Sequence, residues 1–283
     1  MEQHGEGKVV IGRRTRIGAG AQVVFSGPGS LTIGDYCTIG PGTKFVISSG
    51  DVWIGDWTSL HDNCLVLSTQ GVTIRGHGWF GQNCIIDGTG GMAVGSGVRV
   101  GMYSQLWSHV AAGEQIEGCT LFAERGVTLE DNVWLVGSCI VASGVNLGER
   151  LVALIGSNIT KSFPERVVIA GVPATERPGL SFYRPVTMDD RVAMLRTWLA
   201  DFVAETGDTL LVDQNSLHVI RGTEQVIFTR ERGMAEELIR TQPDATICDI
   251  DSKRYTKRLT DLEAMVLKYL SGNKARFHDW DAR

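Results

Sequence analysis

The chain has 283 residues, 21% of them charged, and a formal net charge of −5, so it carries no basic excess for wrapping nucleic acid. Its length allows one or two domains with a sizeable core. No apolar run approaches the roughly 18 residues that a membrane span needs, and the opening MEQHGEGKVV lacks the basic and then apolar pattern of a signal peptide.

Six cysteines, Cys37, Cys64, Cys84, Cys119, Cys139 and Cys248, show no CxxC pair and no zinc spacing. They read as buried thiols of a reducing compartment, which predicts a cytoplasmic protein. Glycine is the outlier at 35 residues, without the strict triplet of collagen.

In chain order, the first feature is a six-residue beat. Apolar residues recur at Ile33, Ile39 and Phe45, then at Ile54, Leu60 and Val66. The step continues through Ile74, Phe80 and Ile86 and through Val94, Val100 and Leu106. A second run holds Leu129, Leu135, Val141, Leu147, Ala153 and Ile159. This period fits neither a helix of 3.6 residues per turn nor an alternating strand. It predicts a triangular parallel β-helix with three short strands per coil, each sending one large side chain to the axis. Residues 9–171 hold about eight coils of roughly 20 residues. Periodicity leaves the hand of the coil open.

The beat breaks after Leu106, at Trp107, Ser108 and His109, and the excursion VAAGEQIEGCTLFAERG (110–126) follows. An insertion of this length is expected to wall a pocket, and loops on rigid scaffolds are common places for function. After AGVPA the rhythm ends and TERPGLSFYRP (175–185) reads as a linker. The boundaries expected are therefore 1–179 for the β-helix and 180–283 for a small α/β domain. In the latter, TMDD starts a helix at Thr187, with Val192, Leu195, Leu199, Phe202 and Val203 on one face and Gly207 as its stop. TLLVD, LHVIR and QVIFT read as strands, and TDLE (260–263) reads as a second capping box that opens a further helix ending near Gly272. No catalytic signature stands out in this second domain.

Of the six histidines, three lie in the repeat. His61 falls seven residues after its triplet start, His77 three and His109 fifteen, so they project from different places around the triangle and do not form a metal site. His109 stands at the mouth of the excursion. A neutral imidazole there is suited to act as a general base. A carboxylate on its other ring nitrogen would orient it; Glu114, Glu117 and Glu124 lie nearby, and sequence does not choose among them. Trp107 is placed either to stack on the ring face of a substrate or to serve as a hydrophobic plug under the loop, with Ser108 between it and His109.

The segment LEDNVWLVGSCIVASGVNLGERLVALIGSNITKSFPERVVIAGVPAT (129–175) resembles the closing segment of hexapeptide-repeat acyltransferases, and the repeat extends the resemblance over about 60% of the chain. The resemblance implies a left-handed parallel β-helix, an exception to the usual crossover hand, assembled as a homotrimer. It also implies acetyl-CoA in grooves between subunits and a catalytic histidine on an excursion about one coil before DNVW. His109 precedes Trp134 by 25 residues, in agreement.

For coenzyme contacts the resemblance points to Trp134, Gly137, Ser138, Ala142, Ser143, Gly156 and Ser157, with Gly137 and Ser138 as candidate oxyanion donors. Lys161, Arg166 and Arg177 are the cations available to its phosphates. Two positions depart from the family pattern: Thr175 replaces a basic residue, and Val136 replaces a glycine.

The function expected is an acetyl-CoA-dependent O-acetyltransferase acting without metal on a sugar hydroxyl of a surface polysaccharide or its precursor. Cys119 has no activating cation beside it, so direct transfer is expected rather than a covalent enzyme intermediate. The alternatives are an amino-sugar N-acetyltransferase, a non-catalytic β-helix binding or scaffold protein, and a metal-dependent lyase.

Overall fold

The structure, a computed structural model, describes residues 1–111 and 113–280. Ala112 of the expected excursion and residues 281–283 of the expected second domain lie outside the described residues. The chain divides into two compact units, Met1–Phe182 and Tyr183–Arg283.

In the first unit each coil crosses three faces. The first face runs from Glu2–His4 to Asn158–Ile159 and the second from Lys8–Ile11 to Asn146–Leu147. The third runs from Arg16–Ile17 to Val168–Ala170 and is closed by the antiparallel strand Thr175–Glu176. The strands within each face are otherwise parallel, as the six-residue beat predicts for a β-helix.

Register follows the beat. On the first face Phe45, Val66, Ile86, Leu106, Val141 and Ile159 stack in line. Ile33, Ile54, Ile74, Val94, Leu129 and Leu147 do so on the second. Ile39, Leu60, Phe80, Val100, Leu135 and Ala153 do so on the third. These side chains are buried, and each large one contributes about 1.5–3 kcal/mol by leaving water.

Small residues between coils permit this stacking. A Cβ on Gly101 would stand 2.0 Å from the Val136 carbonyl oxygen of the next coil. The corner between the second and third faces uses side chains instead: Tyr36 and Trp57 stack at 4.1 Å, both at positive φ. Their contact offsets part of the roughly 1–2 kcal/mol that a left-handed non-glycine residue costs.

The second unit is a six-stranded sheet with three helices. Thr209–Val212, Ser216–Arg221 and Glu224–Thr229 form an antiparallel meander. Thr246–Asp249 then lies parallel to Glu224–Thr229, and Arg254–Tyr255 and His278–Asp279 complete the sheet. Helix α1, Met188–Thr206, starts at the Thr187 capping box, buries Leu195, Leu199 and Phe202, and stops at Gly207 with φ +77. Helix α2, Arg232–Thr241, makes the crossover between the two parallel strands. Helix α3, Asp261–Ser271, is capped by the Thr260 hydroxyl. Here the structure differs from a reciprocal capping box: the buried Glu263 carboxylate accepts from the Arg258 and Leu259 amides and the Thr246 hydroxyl.

Candidate active site

The excursion begins where the first face turns toward the second. His109–Ala111 and Phe122–Glu124 pair as a short antiparallel hairpin, with His109 opposite Glu124. The coil resumes at Val127–Leu129, which pairs with Met92–Val94 of the preceding coil. The hairpin is therefore inserted without disturbing the parallel stack on either side.

Its root is held by a buried acid. Asp87 is the third residue of the strand Ile85–Gly88, in register with Leu67 of the previous coil. Its side chain is 0% exposed. Oδ1 accepts from the Thr89 amide at 3.1 Å and the Thr89 hydroxyl at 2.6 Å, an Asx-type turn. Oδ2 accepts from the Ser108 amide at 2.8 Å, the Ser108 hydroxyl at 3.0 Å and the His109 amide at 3.1 Å. It also lies 2.8 Å from His109 Nδ1.

Burial alone would raise the Asp87 pKa. The hydrogen bonds from Thr89, His109 and Ser108 outweigh it and hold the carboxyl below the usual range. An ionised Asp87 is acceptor-only, so Nδ1 must carry a proton. When the ring is neutral, the lone pair is then on Nε2. The His109 side chain is 33% exposed, so its other edge is open to an incoming group.

Ser108 has a structural part in this arrangement. It is fully buried, its hydroxyl accepts from the Gly90 amide at 2.8 Å, and its carbonyl accepts from the Ser143 hydroxyl at 2.9 Å. Ser143 in turn accepts from the Arg125 amide at 3.2 Å. Both serines pin the two legs of the hairpin to neighbouring coils. The Trp107 ring lies edge-on to His109, with centroids 6.1 Å apart, and its indole N–H donates to Gln105 at 2.9 Å.

The acid beside His109 is thus Asp87, not Glu114 or Glu124. Glu114 is exposed at the start of the 3-10 turn Gln115–Glu117 and makes no side-chain cap. Glu124 is exposed on the strand facing His109. A signal for Asp87 was present in the sequence: its stacking column reads Val24, Val46, Leu67 and then Asp87. A carboxylate replaces an apolar residue one coil before the histidine.

The three repeat histidines occupy three different corners. His61 packs edge-on against Trp79 at the end of a third-face strand, centroids 4.9 Å apart. His77 lies near Trp57 between the second and third faces, with rings 6.1 Å apart. Among the described residues, no group of three or more His, Cys, Asp or Glu side chains is placed to hold a metal ion.

The positions singled out for coenzyme contact separate into sets. Ala142, Ser143 and Lys161 follow first-face strands, at the same corner as His109. Gly137, Ser138, Gly156 and Ser157 stand where the third face turns into the first, beside Trp134 on the third face. Arg166 belongs to the corner between second and third faces. Arg177 uses its guanidinium to donate to the Ala170 carbonyl at 3.0 Å. Within one chain these residues do not form a single groove.

The Gly137–Gly156 corner does have room for a narrow ligand. A Cβ on Gly156 would meet nothing within 4 Å, and one on Gly137 would be no closer than 3.7 Å to Met102 and 3.9 Å to Ile155. Ile155 is 70% exposed and Trp134 42%.

No protein-family model matches the chain. A galactoside O-acetyltransferase of Lactococcus lactis is 28% identical over 141 residues, which is 50% of this chain and 59% of that protein. The Escherichia coli galactoside O-acetyltransferase is 40% identical over 47 residues, 17% of this chain and 23% of that one. Among solved structures, a polysialic acid O-acetyltransferase aligns at 19% identity and a TM-score of 0.46, covering 67% of this chain and 95% of that chain. The matches span between 23% and 59% of the length of these curated relatives. Among the described residues no helix is long and apolar enough to cross a membrane. With its six-residue repeat and these sequence matches, the chain resembles the hexapeptide-repeat acetyltransferases.

Proposed function

We propose that this chain transfers an acetyl group from acetyl-CoA to a sugar hydroxyl, with His109 as general base and Asp87 as the residue that positions it. The observation that carries the reading is the His109 Nδ1–Asp87 Oδ2 contact of 2.8 Å on a carboxylate that is fully buried. It fixes the tautomer whose Nε2 accepts a proton.

Acetyl-CoA supplies a thioester carbonyl. As the acceptor oxygen bonds to that carbon, Nε2 takes the hydroxyl proton, and the imidazolium formed is stabilised by the Asp87 charge. Collapse breaks the carbon–sulfur bond, and His109 returns the proton to the departing thiolate. The products are an O-acetyl ester and CoA. Trp107 provides an apolar edge beside the base for the sugar ring.

In this reading the coil is left-handed and the protein works in the cytoplasm as a homotrimer. The set at Gly137, Ser138 and Gly156 on one copy then faces the His109 corner of a neighbour. The separation of the two sets within one chain supports that arrangement, because neither alone surrounds a coenzyme. The acceptor class proposed is a surface polysaccharide or its precursor.

The test is acceptor-dependent release of CoA, followed with a thiol reagent, for oligosaccharides bearing only hydroxyls and for the matching amino sugars. Turnover with the hydroxyl acceptors is expected. Turnover confined to amine acceptors overturns the O-acetyl assignment, and no release with any acceptor despite saturable acetyl-CoA binding overturns the sugar acceptor.

A further inference from the structure

The second unit contains a cavity of about 150 Å3 between α1 and one edge of its sheet. Val192, Phe228 and Ile250 give it an apolar floor, and Arg196, Gln214 and Asn215 lie on its rim. It sits at the carboxyl ends of the neighbouring parallel strands Glu224–Thr229 and Thr246–Asp249. That is the end at which open α/β sheets hold their ligands.

Three ion pairs match charges around this gap. Arg230 pairs with Asp189 at 2.5 Å and Arg191 with Asp251 at 3.7 Å, both joining α1 to the strand ends. Arg184 is paired with Asp190 at 3.9 Å. The Arg196 guanidinium makes no ion pair or hydrogen bond among the described residues, and the side-chain amides of Gln214 and Asn215 are equally uncommitted. Asp213, on the same rim, uses Oδ1 to accept the Gln214 amide at 2.7 Å, which leaves Oδ2 for a hydroxyl.

Size and polarity narrow the ligand. The volume is about half the ~300 Å3 at which pockets for drug-sized molecules begin, so one ring-sized group fits. A bare phosphate has no apolar face to set against Val192 and Ile250, and stripping its water there is unfavourable. A pyranose has such a face, while its hydroxyls match amides and a carboxylate. The planar guanidinium fork of Arg196 matches a carboxylate.

We propose that this cavity binds a single acidic sugar residue. Its ring lies on the apolar floor, its carboxylate on Arg196, and its hydroxyls on Gln214, Asn215 and Asp213. The site belongs to the unit that does not contain His109, and its binding is read without turnover. Its failure and the failure of the transfer reaction are therefore separate results.

The experiment is a saturation-transfer NMR titration of the full-length protein with D-glucuronate. Saturable millimolar binding is expected. In Arg196→Ala it weakens by about tenfold or more, as loss of a charge-assisted contact requires. Asn215→Ala weakens it less. Arg232→Ala removes the same charge from the exposed face of α2 and leaves binding unchanged, as does His109→Ala. D-glucose binds more weakly than D-glucuronate, and inorganic phosphate does not compete.

Arg196 is exposed, so its variant should keep the wild-type thermal midpoint. Three results overturn the proposal: no saturable binding of glucuronate to the wild type, equal binding to Arg196→Ala, or displacement by phosphate.

Discussion

Replacing Asp87 by asparagine separates the charge of the buried acid from its geometry. All six contacts to the Asp87 carboxylate are made by donors, four on Oδ2 and two on Oδ1. An asparagine NH2 on the Oδ2 side would face two backbone N–H groups and the imidazole. On the Oδ1 side it faces one amide and the Thr89 hydroxyl, which can rotate to accept. The amide should therefore turn its NH2 toward Thr89 and keep its carbonyl oxygen on His109. The histidine tautomer survives and the negative charge is lost.

Two unit charges 2.8 Å apart interact by about 6 kcal/mol at an effective dielectric constant of 20. The imidazole is one-third exposed and carries a partial charge in the transition state, so about 2–3 kcal/mol is at stake. That corresponds to a roughly 30- to 150-fold fall in kcat. The Thr89 amide loses its acceptor, so stability should also fall by about 1–3 kcal/mol. The assay is the initial rate of CoA release at saturating acetyl-CoA, with the KM for acetyl-CoA unchanged. A double variant with His109→Ala should be no slower than His109→Ala alone, because the two residues act as a unit. A kcat within threefold of wild type, or a loss that appears only in KM, would refute the reasoning.

Other consequences concern the scaffold. Gly101→Ala drives a methyl group against the Val136 carbonyl at 2.0 Å and should cost about 2–4 kcal/mol by thermal or denaturant unfolding. Gly118→Ala meets no atom within 4 Å, and its positive φ should cost only about 1 kcal/mol. Burial pushes the Cys37 thiol up to about 12. Of the six free thiols, Cys119 is half-buried and the other five are buried, so one thiol per native chain should react rapidly with a disulfide reagent at pH 8.

Asp208 is held below the usual carboxylate range by the Arg221 guanidinium, which contacts both of its oxygens. A depressed native pKa gives stability that is present above the unfolded value of about 3.9 and lost as pH falls through the native one. The gap in melting temperature between wild type and Asp208→Asn should therefore be full at pH 6 and shrink steadily below about pH 4.

Much of the first unit was legible because every coil repeats the same constraint. Within each run from Ile33 to Leu106 and from Leu129 to Ile159, the inward positions are apolar and recur six places apart inside a triplet. The histidine at the break was legible for the same reason. Asp87 was not found because it is 22 residues from His109 in sequence and reaches it only through the register of stacked coils. A search along the adjacent chain favours Glu114 and Glu124, whose side chains are exposed instead.

The coenzyme positions were misleading in another way. Six residues carry the chain from one corner to the next, so Ser138 and Ser143, close in sequence, stand at different corners. In the second unit, α2 and the strand Thr246–Asp249 were missed. The apolar face of α2 is short, made of Ala235 with the partly buried Leu238 and Ile239. The four residues of the strand are all buried and show no alternation.

The central claim is that His109 removes the acceptor proton, and turnover by His109→Ala at saturating acetyl-CoA tests it most directly. Acetyl-CoA binding should be retained within a few-fold, while kcat falls by about 10²- to 10⁴-fold, the usual contribution of a positioned base. Acetyl-CoA binding as tight as wild type together with full turnover would contradict the account.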